Sequence, residues 1–501
     1  YEIYQCDWSS DVCSSDLNKL LDNITGLATD SRKVKKGDLF FALQGDSVDG
    51  AKYIEQALTN GARRVLSETT HPAADKVDNL RKKVGEIASI YYHNPSAELK
   101  VAAVTGTDGK SSVTHFIANA LGEIGEKVSV VGTLTHTHTT PPPIELQEFI
   151  RKIVDDNVVS VAIEASSHGI EQSRLSGTEI DTAVLTNAGR DHLDYHGSIE
   201  EYHAVKKSLF YLDVIKSVVV NLADRLGRDI FLNPPPNRDL FGYVVSTSSE
   251  LQSTILAEIL DSDHSNPITI ISGTIVVQNG DGMELEVECI VGDNKLNGKL
   301  STPLYGSFNA ENLLAALGVL LSWNVSFKGG LSALSRVVPV AGRVELFSGG
   351  ELSPDIVVDY AHTANALSLV LATLRKHLHN SATKLWVVFG CGGERDRGKR
   401  VEMGRAAELG ADYIVLTNDN PRKEDPKAII NEIMQGISVA EREESCTFKV
   451  IESREEAIRF AFNSASAADT ILIAGKGHEQ WQYIGDDKVR WSDRDFAQEL
   501  I

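Results

Sequence analysis

The sequence predicts an α/β protein of three successive units, two of them built on doubly wound parallel sheets. Three observations carry this. A chain of 501 residues is long enough for about three domains. Short apolar runs recur along it between helix-period segments, the pattern of parallel strands with crossover helices on both faces. A glycine-rich loop follows one such run and opens a helix.

Residues 18–98 read as a small α/β unit, with an apolar run at 38–43 and a helical pattern at 53–60 that stops at Gly61. The central unit, 99–340, opens with a strand over 100–105, a loop over 106–109 and a helix over 112–121. In that helix Val113, Phe116, Ile117, Ala120 and Leu121 recur at helical spacing. Further buried strands are expected at 158–163, 182–185 and 217–220. Around 267–304 the strand runs are split by Gly and Asp-Gly turns, which predicts an antiparallel insertion.

The third unit, 341–501, has strand runs at 356–358, 385–389, 413–416 and 471–474 alternating with helices, a Rossmann-like doubly wound domain. Ligands bind such folds beyond the carboxyl ends of the strands, so its informative loops are 359–363, 390–400, 417–422 and 475–479. Residues 1–17 show no period and lack the basic and apolar regions of a signal peptide; they read as a non-native segment.

Composition narrows the function. Apolar residues are 42% and charged residues 24%, as in soluble globular proteins. A net charge of −21 argues against nucleic acid and anionic membrane as partners. No apolar run approaches the roughly 20 residues of a membrane span. The five cysteines, Cys6, Cys13, Cys289, Cys391 and Cys446, are scattered without metal-ligand spacing, which suits a reducing, cytoplasmic setting.

The loop Gly106-Thr107-Asp108-Gly109-Lys110-Ser111, between strand and helix, is the strongest local signal. Its glycines let backbone N–H groups approach phosphate, and the helix N-terminus favours the negative charge. Lys110 is expected on the β/γ-phosphates and Ser111 on Mg²⁺. Val104 stands where the general P-loop has its first glycine. Two further strand ends carry Glu164-Ala165-Ser166-Ser167-His168-Gly169 and the stretch from Thr186 to His196. A carboxylate and an imidazole there suit a Mg²⁺ shell, although Mg²⁺ prefers oxygen. His192 reads equally well as a core or capping histidine, and the histidines between 136 and 196 leave a zinc reading open.

Together these motifs resemble the Mur ligase family. The resemblance rests on the Gly-Thr-x-Gly-Lys loop, on Glu164 with Ser166 to Gly169, and on Arg190 to Gly197, and it runs over nearly the whole chain. It implies a three-domain architecture: an N-terminal nucleotide-sugar unit, a central ATP-binding unit and a C-terminal amino-acid unit. It implies an ATP-dependent ligase that joins an amino acid to a UDP-N-acetylmuramoyl-peptide in peptidoglycan precursor synthesis, acting as a monomer.

Residue roles follow from the resemblance. Gly106, Thr107, Asp108, Gly109, Lys110, Ser111 and Ser112, with Asn309, Asn312 and Arg343, would bind ATP. Ser111, Glu164 and His192 would hold Mg²⁺. Lys206 matches the family's carbamylated lysine, although the residue alone reads as a helix-surface lysine and Lys207 lies beside it. Ser31, Thr139, Thr140, Ser166, Gln172 and Arg174 would meet the UDP-sugar. Arg395, Asp419, Asn420, Arg422, Gly475 and Glu479 would form the amino-acid site. An arginine at Arg422 goes with diaminopimelate, which brings an extra carboxylate. His362, in Asp359-Tyr360-Ala361-His362-Thr363, is a candidate to assist deprotonation of the amine.

The chain departs from the family at Asp108, usually Asn, at Ala364, usually Pro, and in a short 133–139 connection. A lysine-adding ligase, a folylpolyglutamate- or cyanophycin-type ligase, a P-loop hydrolase and a non-catalytic paralogue are the competing readings.

Overall fold

The computed structural model describes residues 19–45, 49–189, 191–246, 259, 266–279, 281–378, 383–438 and 447–501. The segment 1–17, Arg190 and Cys446 lie outside the described residues. Strands β1 (Leu27–Ala28), β2 (Leu39–Ala42), β3 (Arg64–Ser67) and β4 (Asp75–Lys76) form a parallel sheet in that order. The apolar run at 38–43 is its strand β2. Leu39 and Phe41 enter one core with Leu66, Leu80 and Val84, while Phe40 and Ala42 enter another with Ile54 and Ala57. This is the period of two that puts alternate side chains on opposite faces.

The central sheet has nine strands: β5 (Lys100–Thr105), β6 (Val128–Val131), β7 (Ser160–Glu164), β8 (Thr182–Leu185), β9 (Ser217–Asn221), β10 (Asp239–Ser246), β11 (Ile268–Asn279), β12 (Gly282–Val291) and β13 (Asn294–Thr302). They lie in the order β13-β12-β11-β10-β9-β8-β5-β7-β6. Ala102 and Val104 pack beneath helices Lys110–Glu123 and Ser307–Ser322, and Val101 and Ala103 pack beneath Pro143–Asp155 and Arg225–Leu232. Burial on both faces explains why these strands read as unbroken apolar runs.

The region at 267–304 is antiparallel, as the turns indicated, but it is not a separate layer. β11 pairs parallel with β10, and β12 and β13 extend the same sheet outward. The sequence pattern could not show this, because the pairing is decided by the edge that β10 leaves exposed.

In the third unit β14 (Glu345–Phe347), β15 (Asp355–Asp359), β16 (Leu385–Phe389), β17 (Tyr413–Leu416), β18 (Thr447–Val450) and β19 (Thr470–Ala474) form a sheet ordered β14-β15-β19-β16-β17-β18. Only β14 runs antiparallel. A hairpin, β20 (Trp481–Ile484) and β21 (Asp487–Arg490), follows the last loop. No helix among the described residues is long and apolar enough to cross a membrane.

The third unit is tied to the central one by a buried histidine. His377, at the end of helix Ala364–His377, accepts from the Gly306 N–H through Nε2 at 3.2 Å and donates through Nδ1 to the Asn279 carbonyl at 2.6 Å. Its ring stacks on Tyr305 with centroids 4.1 Å apart. This pattern requires the neutral Nδ1–H tautomer, and burial holds the imidazole below its ordinary pKa.

His377→Phe keeps a ring against Tyr305 but loses both bonds. It is expected to cost about 2 kcal/mol at pH 7.5, read as a lower denaturation midpoint. The folded protein keeps His377 neutral where the unfolded chain titrates at about 6.5, so this contribution is present above that pH and fades below it. The variant's deficit should therefore shrink between pH 7.5 and 5.5; a deficit constant over that range contradicts the assignment.

Candidate active site

The carboxyl ends of β5, β7 and β8 lie side by side because those strands are neighbours. The Gly106–Ser111 loop leaves β5 and enters helix Lys110–Glu123. Gly106 has φ +153, and a Cβ there would lie 1.8 Å from Thr186 Oγ1. Thr186 Oγ1 donates to the Asp108 carbonyl at 2.6 Å, and Asn187 Oδ1 accepts the Asp108 N–H at 2.9 Å. The start of the β8 loop thus clamps the phosphate loop. Lys110 Nζ folds back onto the Gly106 and Thr107 carbonyls, at 2.7 and 2.9 Å. Desolvation lowers its pKa, partly offset by Glu164 and Asp108. Asn312 lies against this loop, its Oδ1 2.5 Å from where a Gly109 Cβ would be, and Asn312 Nδ2 donates to Asn309 Oδ1 at 3.3 Å.

Ser111 Oγ donates to Glu164 Oε1 at 3.0 Å, and both residues are buried. Thr133 adds its N–H to the same oxygen at 3.0 Å. A hydroxyl and a carboxylate at a helix N-terminus are hard oxygen donors, the set that Mg²⁺ takes. His192 is not drawn into this pair: its Nε2 lies 3.3 Å from Asp191 Oδ2, and its ring packs edge-on against His168 at 4.8 Å. His196 bonds Ser167 at 2.9 Å, and His136 packs against Phe149. No three His, Cys, Asp or Glu side chains gather as a metal site among the described residues, which removes support from the zinc reading.

Lys206 departs most from its sequence reading. It lies on helix Ile199–Phe210 but is only 1% exposed. Its Nζ has no hydrogen-bond partner among the described residues and sits 3.1 Å from the centroid of the Tyr202 ring. Tyr202 OH in turn lies 3.2 Å from Thr107 Oγ1. Burial, reinforced by the charge of Lys110, pushes the Lys206 amine down to about 6. Lys207 instead pairs with Asp229 at 2.6 Å on the surface, so the structure separates the two lysines.

The candidates for the nucleotide sugar form a chain of bonds beside Glu164. Thr139 Oγ1 lies 2.9 Å from Thr133 Oγ1, and Thr140 Oγ1 donates to the Glu164 carbonyl at 2.7 Å. Ser166 N–H donates to Thr140 Oγ1 at 3.0 Å. Arg174 donates to the Thr140 carbonyl at 2.7 Å and to Gln172 Oε1 at 2.8 Å. Ser31 is apart from them on the first sheet unit, buried and bonded to Gln56 Oε1 at 2.7 Å. That unit meets the central one where Ser176 Oγ donates to the Lys82 carbonyl at 2.6 Å.

In the third unit the four expected loops converge. Arg343 sets its guanidinium 4.7 Å from the Tyr360 ring, with Nε buried and without a hydrogen-bond partner among the described residues. Gly475 approaches Asp419 so closely that a Cβ would lie 2.5 Å from Oδ2. Asn420 Nδ2 donates to Glu479 Oε2 at 2.9 Å. Arg422 donates to the Gly393 carbonyl at 2.5 Å, and both Arg422 Nη1 and Arg395 Cγ lie beside Gly392. Arg395 is exposed. His362 is exposed as well, with Nδ1 donating to the Tyr360 carbonyl at 2.9 Å.

Sequence reasoning missed the groups that hold these loops. Lys476 is fully buried and donates to Asn420 Oδ1, Glu479 Oε2 and the Trp481 carbonyl. Arg400, also fully buried, bonds Glu424, Glu432 and the Gly392 carbonyl, and pulls Glu424 down to about 2. Both cations lie in stretches already singled out, but nothing local tells a cation that meets a ligand from one that braces a loop.

Three family profiles match the chain: "Mur ligase family, catalytic domain" over 23–106, "Mur ligase middle domain" over 104–320 and "Mur ligase, glutamate ligase domain" over 342–477. The chain is 38% identical over 496 residues to the UDP-N-acetylmuramoyl-L-alanyl-D-glutamate--2,6-diaminopimelate ligase of Coxiella burnetii, covering 95% of this chain and 96% of that protein. It is 37% identical over 497 residues to the enzyme of the same name from Neisseria meningitidis serogroup A, covering 95% and 94%. A solved structure of that name superposes with TM-score 0.67 at 32% identity, covering 95% of this chain and 94% of that one. A folylpolyglutamate synthase from Thermotoga maritima shares the fold alone, with TM-score 0.54 at 16% identity over 79% of this chain and 90% of that one.

Gly106→Ala is expected to weaken ATP binding at least about tenfold, because both its φ and its contact with Thr186 forbid a side chain. Gly122→Ala, with nothing within 4 Å of the new methyl, should leave binding unchanged. Calorimetric titration with ATP distinguishes them; equal affinities contradict the clamp.

Proposed function

The chain belongs to the Mur ligase family, and on that premise we propose that it adds meso-diaminopimelate to UDP-N-acetylmuramoyl-L-alanyl-D-glutamate at the expense of ATP, as a cytoplasmic monomer divided into units 18–98, 99–340 and 341–501. The observation that carries the reading is the pairing of two sites across a cavity of about 870 Å³. One wall is residues 133–138 with Pro141 and Glu145, beside Glu164, the partner of the phosphate loop's Ser111; the other is residues 478–481 with Tyr483, beside the Asn420–Glu479 pair. A hydrolase needs no second site, whereas a ligase must bring an activated acid to an amine.

The γ-carboxylate of the D-glutamyl residue attacks the γ-phosphorus of ATP, the bond to the bridging oxygen breaks, and ADP leaves. Lys110 moves from its loop carbonyls onto the phosphates and neutralises the charge spread over their oxygens. Ser111 and Glu164 would hold Mg²⁺, with His192 joining from the neighbouring strand end; bound there, the ion supplies further positive charge to those oxygens. The amine of diaminopimelate then attacks the acyl carbon, the carbon–oxygen bond to phosphate breaks, and the amine loses a proton. Arg174 with Thr139, Thr140, Ser166 and Gln172 orients the muramoyl peptide, and Ser31 the nucleotide end. Arg422 and Arg395 receive the distal carboxylate, and Glu479, Asn420 and Asp419 its neighbouring ammonium. Holding the reactants together is a large share of the acceleration.

Lys206 fits the carbamylated lysine of the family. Its amine is buried, without a hydrogen-bond partner among the described residues and largely neutral near pH 7. It can attack carbon dioxide, forming an N–C bond and releasing a proton, and the product is an anion suited to a divalent cation.

Phosphate release from ATP with the UDP-muramoyl-dipeptide should depend on diaminopimelate, with lysine at least about tenfold poorer, and Arg422→Ala should erase most of that preference. Release with lysine alone contradicts the specificity reading, and release with neither contradicts the ligase. Separately, ¹³C-bicarbonate should give a carbamate resonance in the wild type and in Lys207→Gln but not in Lys206→Gln; its presence in all three overturns the assignment to Lys206.

A further inference from the structure

His478 has no assigned role, yet it stands between the two half-sites. It follows Gly477 in the loop that carries Glu479, and it lines the cavity that faces residues 133–138 and Pro141. Its ring centroid is 5.3 Å from that of Tyr360, whose other neighbours are Arg343 and His362. Its Nδ1 is buried, and the ring makes no hydrogen bond to any described residue. Buried polar nitrogens in folded proteins are nearly always satisfied, and the exceptions call for an explanation. Lys476, two residues earlier, braces the loop on Asn420, Glu479 and the Trp481 carbonyl, so the unmet capacity sits in a segment that is otherwise well bonded.

Position suggests the partner. Glu479 bonds Asn420, two residues before Arg422, whose guanidinium reaches the Gly393 carbonyl. His478 lies on the side of Tyr360 and Arg343, towards the ATP-binding candidates. An α,ω-diamino acid held at its far end by Glu479 and Arg422 would have its near amine in the cavity that His478 also lines. We propose that His478 is a further residue of the amino-acid site, one whose ring nitrogen accepts a hydrogen bond from the reacting amine and aims it at the acyl carbon. This rests on the ligase reading above. The surrounding charges agree with an acceptor. Burial first, then Arg343 and Arg494, hold the ring down to about 4 against the opposing pull of Glu479, so it enters the reaction neutral with a lone pair available.

The test uses the full-length protein with three substitutions. His478→Phe keeps the ring packing on Tyr360 and removes both nitrogens; His478→Asn and His478→Gln restore a polar group near Nδ1 and near Nε2 respectively. For the Phe variant, kcat/KM for diaminopimelate should fall on the order of 10- to 100-fold, the range for a lost hydrogen bond to a group that takes on positive charge as it attacks the acyl carbon, while calorimetric ATP affinity stays unchanged. Either Asn or Gln should recover most of the loss and so identify the nitrogen used. Wild-type turnover with an unaffected Phe variant overturns this inference alone, and so does a loss that neither amide rescues, which would mean that the ring only packs. A wild type without amino-acid-dependent phosphate release overturns the ligase reading, and this inference with it.

Discussion

The contact on which the site depends is the approach of the Gly106 backbone to Thr186. It brings the loops after β5 and β8 together, fixes the path of the phosphate loop through the Asp108 bonds, and leaves no space for a side chain at Gly106. Because β7 lies on the other side of β5, the same geometry brings Glu164 to Ser111. Thr107, the next residue of the loop, touches Tyr202, and Tyr202 covers the amine of Lys206. Phosphate loop, candidate metal donors and buried lysine are thus consequences of one strand order.

Charge is used sparingly but locally. The chain carries a net charge of −21, yet its candidate reaction region is furnished with Lys110, Lys206 and Arg343: burial first, and then Lys110, depresses Lys206, and burial first, with Arg343 adding to it, opposes the protonation of His362 and His478. Clustering cations in a partly desolvated place is costly in an isolated protein and becomes favourable when polyphosphate and carboxylates enter. In the third unit the balance is the reverse. Lys476, Arg400 and Arg454 are each matched to carboxylates or carbonyls, so they hold loops, while Arg395 and Arg422 stay accessible enough to meet a ligand.

Much of this was legible in the sequence, for identifiable reasons. Strands β5, β8 and β16 read as continuous apolar runs because both faces are covered, and the Gly106–Ser111 loop declared itself by its place between strand and helix. What stayed hidden is tertiary. Lys206 and Lys207 are adjacent and chemically identical, and only the packing of Tyr202 and the position of Asp229 distinguish them. The β11–β13 hairpins gave their turns but not their edge. Ser111 and Glu164, both named from the sequence, are bonded to each other, whereas the His192 ring lies beside Asp191, a placement that only the course of the loop decides.

The central claim is that the substrate carboxylate is activated by phosphoryl transfer at the Lys110 loop before the amine arrives. The direct measurement is turnover with the D-glutamyl γ-carboxylate labelled with ¹⁸O. One labelled oxygen is expected to pass into the released phosphate with each amide bond formed. Phosphate free of label, or bearing oxygen from solvent, would mean that ATP is hydrolysed without passing through the acid, and would contradict it.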